Sequence, residues 1–360
     1  MLPLVKAAIA RRHELVVEDL PEPTPEAGDA LVAVRACGIC GSDLHTLQHT
    51  ERFTEMADAL AMVPAAGTGA GFDPTADFVL GHEYAAEVLE LGPETDGVAV
   101  APGDLVVSIP VRLAGTVIQP IGFSNDTLGA YGERMLLTAG MCMKVPNGLD
   151  ARRAALTEPM AVGLHAVNRS GIQPREAALV VGCGPIGLAI VAWLSRRGIE
   201  PIVAADYSPR RRALAAQLGA HEVVDPRAEP AIEAWRRIDG LKSLVIYEAV
   251  GVPGLLDRVM ADAPPHARVL IAGVCMEPDT IRPMVGVLKE LDLQFALGYD
   301  PLEFGDTLKA IAEGEIDVAP MITGTVGIDG VAAAFDALAD PERHVKILVE
   351  PGGPTTPEPV

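Results

Sequence analysis

The sequence predicts an α/β fold with a doubly wound parallel sheet in one domain and a β-rich second domain. The chain has 360 residues, enough for about two domains of ~150 residues. From about residue 175, short apolar runs alternate with helical segments, a pattern typical of βαβ units. Residues 1–150 instead contain short β-branched runs separated by glycine and proline, which favours strands and turns.

The composition excludes several classes of partner. The net charge is −21, from 49 acidic and 28 basic residues. Binding to nucleic acid or to an anionic membrane surface needs a basic face, so neither partner is expected. The apolar fraction of 49% is that of an ordinary globular chain, and a chain of this length can bury a sizeable core.

The cysteines and the start of the chain indicate a reducing compartment, and we expect the cytoplasm. The five cysteines are few, scattered and odd in number, which argues against a disulfide framework. Charges at Lys6, Arg11 and Arg12 interrupt the first fifteen residues, so no signal peptide is expected. The charge-free stretch 177–194 is nearly membrane length, but glycine and proline break it, which favours strand, turn and helix.

The first half of the chain contains four short runs that we predict as strands: Leu15–Val17, Leu31–Val34, Ala86–Leu89 and Leu105–Ile109. The segment Thr46–Phe78 departs from this pattern and is predicted to be an inserted helix and loop. A connection of that length is usually functional or disordered.

The second half contains continuous apolar runs typical of buried parallel strands. The predicted strands are Ala178–Val181, Pro201–Ala205, Glu222–Val224, Leu244–Glu248 and Arg268–Gly273. The predicted helices between them are Gly187–Arg197, Pro209–Leu218, Ala231–Ile238 and Leu255–Ala263. Two more helices, Phe304–Ala312 and Gly330–Leu338, and a strand, Val345–Val349, follow. The Pro-rich tail PGGPTTPEPV is predicted to be unordered.

A glycine-rich turn in the second half predicts a dinucleotide site. Gly182, Gly184 and Gly187 form G-x-G-x-x-G after a predicted strand and at the start of a predicted helix. The first glycine permits the tight turn, the second lets the pyrophosphate approach the backbone, and the third permits close packing. Pro185 and Ile186 stand between the last two glycines, where unpaired helix N–H groups favour a phosphate. The alternative is a glycine-rich turn without a ligand.

The residue at the end of the next predicted strand bears on whether NAD or NADP binds. Asp206 stands there, and a carboxylate at this position accepts from ribose hydroxyls and repels a 2′-phosphate. Arg210, Arg211 and Arg212 follow, and an arginine could instead hold a 2′-phosphate. We expect NAD rather than NADP, with Arg211 touching the ribose edge.

A second motif predicts a metal centre. Cys37 and Cys40 form C-x-x-C, followed by Ser42, Asp43 and His45. Gly81-His82-Glu83 and Thr157-Glu158-Pro159 come later. No second C-x-x-C exists, so a four-thiolate site is disfavoured, and three protein ligands with one open position are typical of catalytic zinc. A buried free cysteine and a core histidine are the alternatives.

Taken together, the motifs C-G-I-C-G-S-D-x-H, G-H-E, E-P-M-A-V and V-G-C-G-P-I-G resemble those of the zinc-dependent medium-chain alcohol and polyol dehydrogenases. The branch that contains sorbitol, butanediol and threonine dehydrogenases is the most similar. The resemblance covers residues 5–350 and implies a GroES-like catalytic domain (1–159 and 299–360) around a Rossmann cofactor domain (160–298). It also implies dimers or tetramers.

The resemblance implies a role for each motif residue. Cys40 and His82 match the two fixed zinc ligands, Glu83 a carboxylate that is a ligand in some members, and Glu158 a third ligand or one acting through water. Asp43 matches a residue that orients a ligand. Ser42 and His45 match the relay that carries the alcohol proton to solvent, Cys37 a buried cysteine, and Lys346 a basic residue facing the cofactor.

Two departures from the family pattern carry expectations of their own. Glu90–Met141 contains no cysteine, so the four-cysteine structural zinc of many members is not expected. The interval from Cys40 to His82 is long, and Phe53, Met56, Leu60 and Met62 within it suggest a partly apolar lid or simple packing of the insert.

The expected reaction is hydride transfer between a small-molecule alcohol, with a secondary alcohol favoured, and NAD, giving a ketone or aldehyde, in either direction. Two alternatives remain open. One is a metal-free quinone or enone reductase of the same superfamily, which generally lacks the Cys40 and His82 pair. The other is a non-catalytic dinucleotide-binding protein, which need not keep Ser42 and His45.

Overall fold

The structure is a computed structural model that describes residues 3–49, 72–73 and 75–360. Most of the predicted 46–78 insert therefore lies outside the described residues, including Phe53, Met56, Leu60 and Met62.

Eighteen strands and ten helices are described in these residues. The strands are β1 Leu4–Arg11, β2 Glu14–Pro21, β3 Asp29–Gly38, β4 Phe78–Val79, β5 Glu83–Leu91, β6 Leu105–Val107, β7 Val111–Ala114, β8 Val117–Pro120, β9 Arg134–Thr138, β10 Met143–Lys144, β11 Ala177–Val181, β12 Ile202–Ala205, β13 Glu222–Val224, β14 Leu244–Glu248, β15 Arg268–Ile271, β16 Asp292–Phe295, β17 Ile322–Val326 and β18 Lys346–Val349. The helices are α1 Gly41–Gln48, α2 Ala151–Ala155, α3 Thr157–Ser170, α4 Pro185–Arg196, α5 Pro209–Gln217, α6 Ala231–Ile238, α7 Leu255–Asp262, α8 Pro283–Lys289, α9 Pro301–Ala312 and α10 Val331–Leu338.

The chain divides into two compact units. The first contains Met1–Glu158 and Ile322–Val360, and the second contains Pro159–Met321. The sequence places the second boundary at 298/299, whereas the units divide at 321/322. Helix α9 accounts for the difference, because Glu303 accepts hydrogen bonds from His165 Nδ1 (2.8 Å) and Asn168 Nδ2 (2.5 Å) of the second unit.

The first unit is β-rich, as predicted. Its largest sheet has seven strands in the order β10-β6-β5-β3-β18-β17, with β9 also paired to β3. A second sheet has the order β2-β1-β4, and β7 pairs with β8 in a hairpin. Apolar side chains of these strands form one core cluster together with the buried face of α10.

The second unit contains a six-stranded parallel sheet in the order β13-β12-β11-β14-β15-β16. This is the strand order of a doubly wound dinucleotide-binding fold. Five of its strands were predicted within two residues at each end. Strand β16 and helix α8 were not predicted. The sequence of β16, DLQF, is half polar, and α8 has no buried residue in its described length.

The Pro-rich tail was predicted to be unordered, and this prediction was wrong for its backbone. Thr325 and Glu358 exchange two backbone hydrogen bonds (2.9 and 3.0 Å), and Gly327 N donates to Pro354 O (2.6 Å). Prolines bar a regular strand, but their carbonyls still accept hydrogen bonds, so the tail lies along the end of β17.

None of the described helices is long and apolar enough to cross a membrane.

Candidate metal centre and dinucleotide site

Three potential metal ligands meet in the first unit. The candidate ligand atoms of Cys40, His82 and Glu83 all lie within 4.8 Å of one another. Cys40 is the N-cap of α1, directly after β3, and His82 and Glu83 stand at the start of β5. Strands β3 and β5 are antiparallel neighbours that pair Gly38 with Glu83, so the sheet brings two distant motifs together.

Asp43 orients the histidine of this cluster. Its Oδ1 lies 3.2 Å from His82 Nδ1, and within the described residues these two buried atoms face only each other. With Nδ1 turned to the carboxylate, Nε2 is the nitrogen left for a metal. Burial would raise the pKa of Asp43, but the interactions with His82, Tyr131 and Cys40 outweigh it and hold this pKa below its usual value. Asp43 is therefore ionised.

The other oxygen of Asp43 is held by two donors. Cys40 N donates to Oδ2 at 2.9 Å, and the Tyr131 hydroxyl donates to the same oxygen at 2.6 Å. Burial raises the pKa of Tyr131 well above its usual value and Asp43 adds to the rise, so the hydroxyl keeps its proton. No sequence motif points to Tyr131, because it lies 88 residues from Asp43 along the chain.

Glu83 forms a buried ion pair with Lys346. The Lys346 ammonium donates to both carboxylate oxygens (2.8 and 2.6 Å) and to Ile39 O (2.9 Å), and both side chains are 1% exposed. Burial lowers the pKa of Lys346, but Glu83 and then Cys40 outweigh it and the pKa is raised. Lys346 was expected to face the cofactor, yet its ammonium lies against Glu83.

The remaining predicted residues of this site lie nearby. Ser42 and His45 are on α1, half-buried and exposed respectively. Although the His45 side chain is exposed, partial desolvation lowers its pKa, and His49 adds to this shift. Glu158, half-buried on α3, is not in the three-ligand cluster, but its carboxylate contributes to the raised pKa of Lys346. Cys37 is buried and donates a weak hydrogen bond to Gly38 O (3.5 Å).

The donor set fits a zinc ion. Cysteine sulfur and imidazole nitrogen are ligand types of catalytic zinc, and the candidate atoms of Cys40 and His82 lie within 4.8 Å of each other and of a carboxylate oxygen of Glu83. Asp43 Oδ1, 3.2 Å from His82 Nδ1, is the carboxylate partner that a zinc-binding histidine usually has on its other ring nitrogen.

The three glycines of the turn differ in what the protein itself requires of them. Gly182 has φ +93°, and a side chain there would meet Val250. A Cβ at Gly187 would collide with Gly182 O. A Cβ at Gly184 would meet nothing within 4 Å, so the space over this helix N-cap is open, as a pyrophosphate requires. Pro185 occupies the first turn of α4, and Ile186 follows it.

Asp206 closes the same turn. Its Oδ2 accepts from Cys183 N (2.8 Å) and its Oδ1 from Ser208 N (2.8 Å), so the carboxylate is fixed beside the glycines. Arg212 donates to Asp206 O (2.8 Å) and Tyr207 O (2.9 Å), which ties it to the loop. The Nε of Arg211 is buried with no hydrogen-bond partner among the described residues.

Two family models match the chain. The model "alcohol dehydrogenase GroES-like domain" matches residues 26–147, and "zinc-binding dehydrogenase" matches residues 185–313. These confirm the predicted pairing of a GroES-like domain with a dinucleotide-binding domain.

Individual relatives match this chain over nearly its whole length. The chain is 30% identical over 355 residues to (R,R)-butanediol dehydrogenase of Bacillus subtilis, covering 95% of this chain and 99% of the relative. The crystal structure of 2R,3R-butanediol dehydrogenase from Bacillus subtilis superposes with a TM-score of 0.81 at 28% identity, covering 96% and 99%. Sorbitol dehydrogenase of Bacillus subtilis is 26% identical over 365 residues, covering 96% and 97%. The chain belongs to the zinc-dependent medium-chain alcohol and polyol dehydrogenase family.

Proposed function

We propose that the protein is a zinc-dependent oxidoreductase that transfers a hydride between a secondary alcohol and NAD. The observation that carries the proposal is the cluster of Cys40, His82 and a buried carboxylate, with Asp43 behind the histidine, on a chain that also has a complete dinucleotide-binding turn. A non-catalytic binding protein would have no use for that cluster.

Cys40 and His82 would supply two of the three protein ligands. For the third we propose Glu158, whose carboxylate is near enough to raise the pKa of Lys346. Glu83 is less suited, because both of its oxygens are already held by Lys346. Direct ligation by Glu83 would have to weaken a buried ion pair, which is costly. Glu83 then acts as a negative charge beside the metal, fixed by Lys346. Three protein ligands would leave a fourth position for the substrate.

A zinc ion bound there would act as a Lewis acid that lowers the pKa of the substrate hydroxyl. The chain's own part is to carry away the proton. Ser42 and His45 are three residues apart on α1, so they are neighbours on one face of the helix. The lowered pKa of His45 keeps its imidazole neutral near pH 7, and its exposure allows transfer to water.

We propose NAD as the cofactor. Gly182, Gly184 and Gly187 with Pro185 and Ile186 would hold the pyrophosphate at the N-terminus of α4. The Asp206 carboxylate, fixed beside this turn, would accept from the ribose hydroxyls and repel a 2′-phosphate. The unpaired Nε of Arg211 supports a contact of this residue with the adenosine end of the cofactor.

The direct test is turnover of the purified protein with a panel of secondary alcohols, vicinal diols included because of the butanediol dehydrogenase relatives. We expect one catalytic zinc per chain, reduction of NAD, and a kcat/KM for NAD at least about tenfold above that for NADP, or about 1.4 kcal/mol. Quinone or enone reduction without zinc would indicate the metal-free reductase. Binding of NAD with no turnover of any alcohol or carbonyl would indicate a non-catalytic protein.

We also propose that the protein forms at least a dimer through the edge of the parallel sheet. Strand β16 ends the sheet of the second unit, so one row of its backbone groups is available for pairing. Beside it lie exposed apolar side chains: Met284 (70%), Val287 (75%), Leu288 (73%), Phe295 (64%) and Leu297 (70%). An edge strand flanked by such a patch fits a second copy of the same edge related by a two-fold axis.

Light scattering after size exclusion tests this surface. We expect the double variant Val287→Glu/Phe295→Glu to halve the mass of the wild-type particle or reduce it further. Leu241→Glu is the matched control, since Leu241 is 94% exposed and lies in the loop after α6. An unchanged mass for the double variant would rule this interface out.

The free thiols of the described chain support a reducing compartment, and we propose the cytoplasm.

A further inference from the structure

Tyr131 is a buried residue beside the candidate metal centre, and none of the predicted roles uses it. Its hydroxyl and the carboxylate of Asp43 are both fully buried and 2.6 Å apart. A hydrogen bond of this length to an ionised carboxylate is of the strong, charge-assisted kind. Loss of the hydroxyl would leave a buried anion with fewer donors, which the site could not repair with water from bulk solvent.

The position of Tyr131 is fixed by its surroundings. Its N–H donates to Leu80 O (3.0 Å), and its carbonyl accepts from Ala8 N (2.9 Å). Its ring lies against Gly81, where a Cβ would come within 2.7 Å of Tyr131 Cδ1. The ring also meets Phe335 edge to face, at 6.1 Å between centroids. These contacts hold Tyr131 in place against the segment that leads directly into His82.

The two oxygens of Asp43 have separate tasks. Oδ2 takes both the Cys40 N–H and the Tyr131 hydroxyl, and Oδ1 is left facing His82 Nδ1 at 3.2 Å. A carboxylate held by only one donor could turn about its terminal torsion, whereas two donors on one oxygen fix the direction of the other oxygen. The donors come from α1 and from the turn before β9, so Asp43 is braced from two elements.

We propose that Tyr131 is a positioning residue for the metal centre: it fixes the Asp43 carboxylate, which fixes the ring of His82 with Nε2 toward the metal. This inference rests on the proposed function, because it assumes that the cluster of Cys40 and His82 binds zinc. Mutation of a residue that orients a histidine ligand typically lowers the metal affinity 10- to 100-fold. Tyr131 acts one step further out, so the lower end of that range is expected.

The test is the variant Tyr131→Phe, which removes one oxygen and leaves the ring. Zinc affinity is measured by competition with a chromophoric chelator, a readout independent of turnover. We expect the zinc dissociation constant to rise about tenfold. We also expect kcat to fall while the KM for NAD stays unchanged, since the dinucleotide turn is not altered.

Two controls separate positioning from general stability. Tyr247→Phe removes a buried hydroxyl that bonds Ser170 Oγ at 2.7 Å in the second unit, and it should lower thermal stability without changing zinc affinity. In an Asp43→Asn background, Tyr131→Phe should have little further effect on zinc affinity, because the residue acts through Asp43.

The outcomes distinguish the two proposals. If the wild-type protein binds no zinc, the proposed function fails. If the wild-type protein binds zinc and Tyr131→Phe binds it equally tightly, only the role of Tyr131 is overturned. Full additivity of Tyr131→Phe and Asp43→Asn would also overturn it.

Discussion

Replacing Cys40 by serine is expected to empty the metal site and to lower kcat/KM for alcohol oxidation by about 10³-fold or more. Lewis-acid activation supplies several kcal/mol, and each 1.36 kcal/mol is a factor of ten in rate. Serine is a good N-cap, so α1 should keep its start at this position and the variant should fold. Zinc content by elemental analysis and initial rates of NAD reduction are the measurements.

Cys275→Ser is the matched control for this variant. Cys275 is half-buried, its Sγ lies 3.3 Å from Glu277 O, and it belongs to the second unit. We expect this variant to keep its zinc and its rate. Undiminished turnover of Cys40→Ser with no zinc in the sample would refute the proposed mechanism.

Replacing Lys346 by methionine is expected to destabilise the first unit by about 3–5 kcal/mol. The change leaves the Glu83 carboxylate buried and without its cation, and breaking one partner of a buried pair costs about this much. A fall of about 10 °C in the melting temperature should follow. Thermal and urea unfolding, recorded in the presence of a chelator so that zinc binding does not contribute, would measure it.

Two further variants test whether the unpaired charge of Glu83 causes this loss of stability. Adding Glu83→Gln to Lys346→Met removes the unpaired charge and should restore more than half of the lost stability. Lys6→Met is the exposed control, because Lys6 pairs with Asp329 at 2.9 Å but both side chains are at least 40% exposed. That variant should cost less than about 1 kcal/mol. Equal losses in Lys6→Met and Lys346→Met would contradict the explanation.

The local patterns of the sequence were sufficient to predict most of the fold and to locate the glycine-rich turn and the candidate metal ligands. The glycine turn, Asp206 and strands β11–β15 follow from short-range rules, since turn geometry and apolar runs are read within ten residues. Cys40 and His82 were predicted as metal ligands because each stands in its own motif. Their proximity depends on the pairing of β3 with β5, which the sequence does not display.

The parts that could not be predicted depend on long-range contacts. Tyr131 reaches Asp43 across 88 residues, and Lys346 reaches Glu83 across 263 residues. Neither residue type has a periodicity or spacing that reports such a partner. The boundary at 321/322 depends on Glu303 with His165 and Asn168, which is again a tertiary contact.

The discontinuous first unit has a consequence for the order in which the protein matures during synthesis. Glu83 emerges from the ribosome 263 residues before its partner Lys346, an interval of roughly 13–50 s at 5–20 residues per second. Until then β3 also lacks its neighbour β18. The second unit, by contrast, is complete once Met321 has emerged. The nascent chain is therefore expected to fold the second unit first and to complete the metal centre only after Lys346 has emerged.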